Sequence, residues 1–500
     1  MRRRDFLKAL GMGAGAMAVR SLGLGAEAAG ERPNIVFILA DDMGYGDPRC
    51  LNPKSRVPTP AFDRLAREGM VFTDAHTGAA VCTPTRYGVV TGRYSWRGRL
   101  KRGVLGGFSP PLLEPGRMTV GSVLKQRGYH TACIGKWHLG MAFARKGEKN
   151  RLVDYAKPIS DSPIHHGFDH YFGVSASLDM PPYVYIEDDR FTEMPTASQP
   201  RRGFPGFIRA GVRAPSFKPV EALDTLASRA AAHVEERAKA GTPFFLYLAL
   251  TAPHKPVVPA KRFQGKSGLG PYADFVMQVD DAVGRVLAAL EKAGVAENTL
   301  LIFTSDNGSF MFRLPEDAEA DHVGKHSVQG YKASSHRANH VFRGTKADIY
   351  EGGHHVPYLA RWPARVKAGT TCATTICLTD LMATCADIAG AKLPSDAGED
   401  SFSILPLLLG KEPAAPRAPV IHHSINGTFA IRDGKWKLIL STGSGGREKP
   451  SGKPFSKPYR LFDMAADISE TTDLAAKHPD IVARLTASFE ALRTGGRSRS

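Results

Sequence analysis

Asn34-Ile35-Val36-Phe37-Ile38-Leu39-Ala40-Asp41-Asp42 is an unbroken apolar run that stops on two aspartates. A strand that is apolar at every position is buried on both faces, as strands of a parallel sheet are. Three later runs repeat the form. His130–Ile134 ends at Gly135-Lys136-Trp137-His138, Pro243–Leu250 at Ala252-Pro253-His254, and Thr299–Thr304 at Ser305-Asp306-Asn307-Gly308. Between them the spacing predicts helices: one opened by Thr59 and Pro60 and closed by Gly69, one from Thr119 to Gly128, then Glu221–Ala240, Tyr272–Ala293 and Thr379–Ala389. Further strands are expected at Met70–Ala75 and near His355–Trp362. Such alternation predicts an α/β protein with a large, mostly parallel central sheet flanked by helices.

Beyond about residue 415 the pattern changes to short strands at Phe429–Arg432, Trp436–Leu440 and Arg460–Asp463, with a last helix at Pro479–Leu492. A small antiparallel sheet plus helix is expected there. The chain divides as residues 1–30, a catalytic α/β domain over 31–415 and a small α+β subdomain over 416–500, with 494–500 frayed. Residues 310–339, with His322 and His326 and then His336 with His340 just beyond, read as an irregular loop bordering the pocket rather than a zinc-binding helix.

The 500 residues are 42% hydrophobic and 23% charged, enough for a large core and for two to three domains at ~150 residues each. In residues 1–30, Arg2-Arg3-Arg4 and Phe6-Leu7-Lys8 precede a Gly/Ala-rich run and Ala26-Glu27-Ala28. This resembles a twin-arginine export signal, implying the twin-arginine translocase as a partner and a periplasmic or extracellular location in a bacterium. Arg20 interrupts the apolar run, which falls short of the ~20 residues that span a bilayer. No later segment is long enough either, so an integral membrane protein is not expected.

The formal charge is +17, and +14 without a leader holding five basic and two acidic residues. Basic residues cluster at Arg97, Arg99, Lys101 and Arg102. No nucleic-acid motif accompanies them, so the excess points to an anionic substrate and not to nucleic acid. Six cysteines (50, 82, 133, 372, 377 and 385) show no metal-binding spacing. Pairing of Cys372 with Cys377 stays open, and disulfides are not expected to hold the fold.

In open α/β sheets ligands sit at the carboxyl ends of the strands, so the four polar clusters are expected to share one cleft. Asp41, Asp42, Asp306 and Asn307 offer only oxygen ligands, which suit Ca²⁺, with Mg²⁺ second. Turn or helix capping explains either pair alone, but less readily both. Val81-Cys82-Thr83-Pro84-Thr85-Arg86 places a cysteine at the head of a helix, where the amides and dipole favour an anion. Taken alone, such a cysteine more often packs as a small hydrophobe. Arg86, Lys136, His138, His254 and Lys346 add cations and proton carriers. With a metal they make a site for a tetrahedral oxyanion ester. Enzymes lower barriers by ~8–23 kcal/mol, whereas one general acid or base supplies about 10²–10⁴-fold, so a composite site is required.

Cys82-Thr83-Pro84-Thr85-Arg86 with Thr91-Gly92-Arg93 resembles the signature of the formylglycine-dependent sulfatases of the alkaline phosphatase superfamily. Asp41-Asp42, Gly135-Lys136-Trp137-His138-Leu139-Gly140, Ser305-Asp306-Asn307-Gly308 and Gly344-Thr345-Lys346 match the other family motifs in order. The segment from Leu461-Phe462-Asp463 through Glu470 to Leu474-Ala475 resembles its close. Thr85 stands where serine is commoner and Ile468 where proline is usual.

The resemblance implies an alkaline phosphatase/sulfatase-like fold. It also implies Cys82 oxidised to formylglycine (3-oxoalanine) by a formylglycine-generating enzyme, and a metal held by Asp41, Asp42, Asp306, Asn307 and residue 82. One hydroxyl of the aldehyde hydrate, assisted by Asp306, attacks sulfur. The other, deprotonated by His138, expels sulfate. Arg86 and Lys136 stabilise the diol and bound oxygens, while Lys346 and His254 hold the sulfate and protonate the leaving oxygen, Lys136 sharing in substrate binding. The implied substrate is a sulfated carbohydrate, on the arylsulfatase A and N-acetylgalactosamine-6-sulfatase side of the family, with loops 181–213 and 310–339 setting the choice. A phosphonate or phosphate diester hydrolase of the same superfamily is the nearest alternative. An inactive exported polyanion-binding protein is the more distant one.

Overall fold

In the computed structural model, which describes residues 32–147 and 152–499, the run quoted first forms β1 (Asn34–Asp41), buried at every position after Asn34. Its side chains alternate between two cores. Ile35, Phe37 and Leu39 join a cluster that includes Tyr87, Val90, Leu124 and Leu381. Val36, Ile38 and Ala40 pack with Leu226, Val234, Val279 and Val286. The central strand is thus sandwiched between helices on both faces, which is why it carries no polar residue between Asn34 and Asp41.

The other strands of this sheet are β2 (Met70–Phe72), β3 (His130–Lys136), β4 (His170–Val174), β5 (Ile186–Glu187), β6 (Arg190–Phe191), β7 (Phe244–Pro253), β8 (Thr299–Ser305), β9 (Tyr358–Arg361) and β10 (Thr370–Cys372). Their order is β10-β2-β9-β8-β1-β7-β3-β4-β5-β6. The centre, β8-β1-β7-β3-β4, is parallel throughout. Antiparallel pairings flank it through β9 and β5, so the sheet as a whole is mixed. One face is covered by helices Ala222–Ala240 and Pro271–Lys292, the other by Cys82–Thr91, Val120–Lys125 and Leu381–Ile388.

A second sheet of β11 (Val420–His423), β12 (Phe429–Asp433), β13 (Trp436–Ile439) and β14 (Arg460–Asp463) is antiparallel in that order. Helix Pro479–Thr494 buries Leu485 and Phe489 against it. Lys437 on β13 is fully buried and bonds Glu351 at 2.9 Å and Glu470 at 2.7 Å. The described residues from Pro33 onward form one compact unit.

Several local expectations are corrected. The Met70–Ala75 strand breaks at Thr73-Asp74, because the chain leaves β10 there and pairs anew with Ile376–Cys377. Thr59 does not cap its helix: its hydroxyl accepts from the Arg49 amide. The Asp280 carboxylate takes over, accepting from the Ala61 and Phe62 amides at 3.1 and 2.8 Å. The Thr119 helix stops at Lys125, short of Gly128. The strand expected from His355 begins at Tyr358, after a helical turn at Glu351–His354. The terminus is not frayed up to residue 499, since the Ser498 and Arg499 amides donate to the Glu399 carbonyl at 2.9 and 3.0 Å. All six cysteines are free, Cys372 and Cys377 included. The expected export signal, residues 1–30, lies outside the described residues, among which no helix is long and apolar enough to cross a membrane.

Candidate active site

Register brings the four polar clusters to one edge. Ala40 pairs with Ser305, Asp41 with Pro253 across a bulge after Leu39, and Ala249 with Gly135. Asp41, Asp306, His254 and Lys136 therefore leave the sheet side by side. Gly135 has φ +118, and a Cβ there would lie 1.8 Å from the Ala249 carbonyl oxygen. Only glycine permits the β3–β7 approach that sets Lys136 beside Asp41. Asp42 and His138 then turn sharply into the left-handed region, at φ 68 and 58. Two non-glycine residues in that conformation at one strand edge mark stored strain at a site.

Helix Cys82–Thr91 is buried along its whole length, with Val81 at its N-cap making no side-chain bond to the first turn. Thr83 and Thr85 turn away: Thr83 Oγ1 accepts from the Leu105 amide, and Thr85 Oγ1 donates to the Ala79 carbonyl. Arg86, one turn in, donates from Nε and Nη2 to Asp306 Oδ2 at 3.0 and 2.6 Å, and from Nη1 to the Lys136 carbonyl at 3.1 Å. Asp306 Oδ1 accepts from the Asp42 amide at 3.1 Å. Lys136 Nζ donates to both oxygens of Asp41 at 2.9 and 2.8 Å. Lys346 Nζ lies 2.6 Å and Asn307 Nδ2 2.7 Å from Asp42 Oδ1, while His254 Nε2 is 3.5 Å from Oδ2. Asp41, Asp42, Arg86, Lys136, His138, Asp306 and Asn307 are fully buried.

Electrostatics follow from burial among these charges. Desolvation raises Asp41, but Lys136, His254, Arg86 and Lys346 together overcome it and hold its carboxyl well below the ordinary value. Asp42 is likewise lowered, chiefly by Lys346 against desolvation. Asp306 moves the other way, because burial and the neighbouring Asp41 outweigh Arg86. Burial raises the Cys82 thiol, with Lys136 and Lys346 opposing the shift and Asp306 and Asp41 adding to it. Residue 82 is buried at the head of the helix whose Arg86, one turn on, holds Asp306. His138 is pushed well below the usual histidine value by burial and then by Lys136. Its Nε2 bonds the Leu105 carbonyl at 2.8 Å, which leaves Nδ1 as an unprotonated nitrogen, buried and without a partner.

Asp42 Oδ2 and Asn307 Oδ1 are also buried without a hydrogen bond. Orphaned oxygens among three buried carboxylates fit a hard divalent cation. Asp41, Asp42 and His254 present ligand atoms within 4.8 Å of one another.

Asp41, Asp42, Arg86, Lys136, His254, Asp306, Asn307 and Lys346 are thus linked by hydrogen bonds and ion pairs, and Cys82 and His138 feel the charges of that network without bonding to it. Other expectations fall elsewhere. Arg97 pairs with Asp400 at 2.7 Å, Arg99 bonds the Pro110 and Pro111 carbonyls, and Lys101 bonds the Trp96 carbonyl. Those three side chains secure the local fold. In the 310–340 segment His336 bonds Asp47 at 2.8 Å, and His322 Nε2 accepts from the Tyr272 amide at 3.2 Å. Sequence reasoning missed the carbonyls of Leu105 and Lys255, which orient His138 and His254. No residue type signals a backbone acceptor.

The family model Sulfatase matches residues 33–391. An N-acetylgalactosamine-6-O-sulfatase of Bacteroides thetaiotaomicron is 31% identical, over 93% of this chain and 94% of its own. Human arylsulfatase A is 32% identical over 88% and 83%. A solved Bacteroides thetaiotaomicron sulfatase, described with the metabolism of multiple glycosaminoglycans, superimposes with TM-score 0.80 at 30% identity over 93% of this chain and all of that one. The network at the strand ends is thus carried on a chain that belongs to the sulfatase family, hydrolases of sulfuric esters.

Proposed function

We propose that the protein releases inorganic sulfate from sulfated carbohydrates, using formylglycine at position 82 and a bound Ca²⁺. The observation that carries this reading is the convergence of Cys82 with three buried carboxylates and three buried cations. Formylglycine, once hydrated, supplies one hydroxyl to attack sulfur and a second to expel sulfate. A divalent ion held by Asp41, Asp42, Asp306 and Asn307 supplies fixed positive charge where negative charge gathers. Asp306, raised in pKa and gripped by Arg86, takes the proton from the attacking hydroxyl. His138 Nδ1, neutral and free, takes the proton from the other. Lys136 and Arg86 orient the oxygens at residue 82. Lys346, whose proton is held firmly by Asp42 despite burial, binds the sulfate. His254 presents Nε2 toward the same space, since its Nδ1 donates to the Lys255 carbonyl at 2.6 Å. Burial and Lys346 lower the His254 pKa, so Lys346 is the proton donor to the departing oxygen unless the incoming sulfate charges His254, whose Nε2 then shares in the donation.

Glycan substrates are supported by the names of the relatives, and export through the twin-arginine translocase by residues 1–30. Maturation by a formylglycine-generating enzyme follows from the Cys82–Arg86 motif. The test is mass spectrometry across Cys82 on protein from a host with that enzyme, with turnover of an aryl sulfate against an aryl phosphodiester. The expected result is the aldehyde or its hydrate and a preference for the sulfate. An unmodified thiol in active protein, or preference for the diester, overturns the reading. Binding of sulfated glycan with no sulfate release by matured, Ca²⁺-replete protein favours the polyanion-binding alternative.

A further inference from the structure

Two cations beside the network have no carboxylate of their own. Lys255 follows His254, and its ammonium lies 5.3 Å from the ring centroids of both Phe207 and Phe310. The Phe310 ring is 6.5 Å from the His254 ring, so Lys255, partly exposed, lies on the His254 side of the network. Arg447 arrives from the other side. Gly446 packs against the Ala347 carbonyl, and the Arg447 amide donates to Asp348 Oδ1, two residues past Lys346. Asp348 is not free to pair with the guanidinium, since its oxygens accept from the amides of Thr345, Arg447 and Glu448. Arg447 Nη1 is buried with no hydrogen-bond partner.

The electrostatics agree with this placement. Burial, then Arg447 and Lys346, bring the Lys255 ammonium down to about 8. Burial lowers Arg447 too, opposed by Asp42 and Asp348. Within the network three carboxylates already balance Arg86, Lys136 and Lys346. A divalent ion exceeds by one the single charge of a sulfate monoester. Even with the buried Asp348 charge set against one of them, Lys255 and Arg447 therefore add positive charge that the scissile group has no means to neutralise. A buried unpaired guanidinium N–H is costly unless a ligand completes it.

We propose that Lys255 and Arg447 form a second anion subsite. The preferred substrate then carries, beside the sulfate ester to be cleaved, a further anionic group on the same or the adjoining sugar, a second sulfate or a carboxylate. Arg447 offers the planar fork that either group accepts, and Lys255 a point charge. Phe207 lies in the 181–213 segment and Phe310 opens the 310–339 segment. The subsite thus joins the two loops expected to select the substrate. This subsite rests on the sulfatase reading of the neighbouring network.

The experiment compares three sugars with the same ester: a monosulfate, its disulfate, and the monosulfate joined to a uronate. The quantity read is the ratio of kcat/KM between dianionic and monoanionic substrates, which is independent of the fraction of enzyme folded or matured. The wild type should prefer one dianionic sugar by at least about tenfold, and Lys255→Met and Arg447→Met should each cut that ratio by about fivefold or more. Which dianionic sugar is preferred distinguishes sulfate from carboxylate. No preference in the wild type, or a proportional fall on all three sugars in the variants, overturns the subsite.

Hydrolysis of an aryl sulfate without a second charge checks the underlying reading separately. Should it fail, calorimetric affinities for the same three sugars replace the rates. A dianion preference reduced in both variants then supports the subsite, and an unchanged one overturns it.

Discussion

Arg86 grips a single oxygen of Asp306 with two N–H groups, at 3.0 and 2.6 Å, and leaves the other oxygen to the Asp42 amide at 3.1 Å. The guanidinium thereby aims Asp306 instead of merely neutralising it. Arg86→Lys keeps the charge but loses the fork and the bond to the Lys136 carbonyl. Turnover of aryl sulfate should fall by about 10²-fold with little loss of fold. Arg86→Met leaves buried carboxylates uncompensated and should also destabilise the protein by about 3–5 kcal/mol. Steady-state kinetics beside denaturant titration separates the two effects. Equal activity in Arg86→Lys and wild type would refute the aiming role.

His138 is kept neutral by burial and Lys136, so its Nδ1 is unprotonated and open to a proton at neutral pH. His138→Ala should lower steady turnover by about 10²–10⁴-fold. The first alcohol should still leave in a stoichiometric burst, with sulfate release lagging. Stopped-flow traces showing no burst, with both products slowed alike, would move His138 to the first step.

Lys346 and His254 serve the departing oxygen in the proposed reaction. Lys346→Ala and His254→Ala should therefore lose more on a sugar sulfate, a poor leaving group, than on an activated aryl sulfate, by about 10²-fold in the ratio. Unchanged turnover of the sugar sulfate would remove both from this role.

Chelation should abolish activity, and Ca²⁺ should restore it better than Mg²⁺, because the buried set is all oxygen and irregular. Calcium at 100 times its dissociation constant should stabilise the fold by about 2.7 kcal/mol. A melting curve indifferent to EGTA would show that the carboxylates hold no ion.

Buried histidines predict acid sensitivity. Burial brings His322 and His423 down to about 4, against ~6.5 when unfolded. Each is neutral in the fold, while the unfolded chain takes up the proton first. Their contribution is complete above about pH 6.5 and is lost as pH falls toward 4, by about 3 kcal/mol for each group. Unfolding free energies at pH 7.5, 6 and 5 should fall accordingly, and His423→Gln should flatten the slope.

The parts of this structure that sequence discloses are those governed by period and chemical type. β1 is legible because both its faces are buried, and Asp41, Asp42, Asp306 and Asn307 because oxygen donors recur where strands end. What escapes is decided by distant partners. Thr59 reads as a cap, yet Asp280, 221 residues later, does the capping. Arg97 reads as free positive charge, yet Asp400 neutralises it. β11 carries no clear mark in the sequence because Val420–His423 ends in two histidines, which read as polar until burial makes them core.

The left-handed turns at Asp42 and His138 set heat resistance against turnover. Glycine at either position would relax the backbone and remove the side chain that the proposed chemistry needs. A screen for heat resistance alone should therefore enrich glycine there and recover dead enzymes. At these two residues the protein stays less stable than its architecture allows, and the shortfall is what aims a carboxylate and an imidazole into the same cleft.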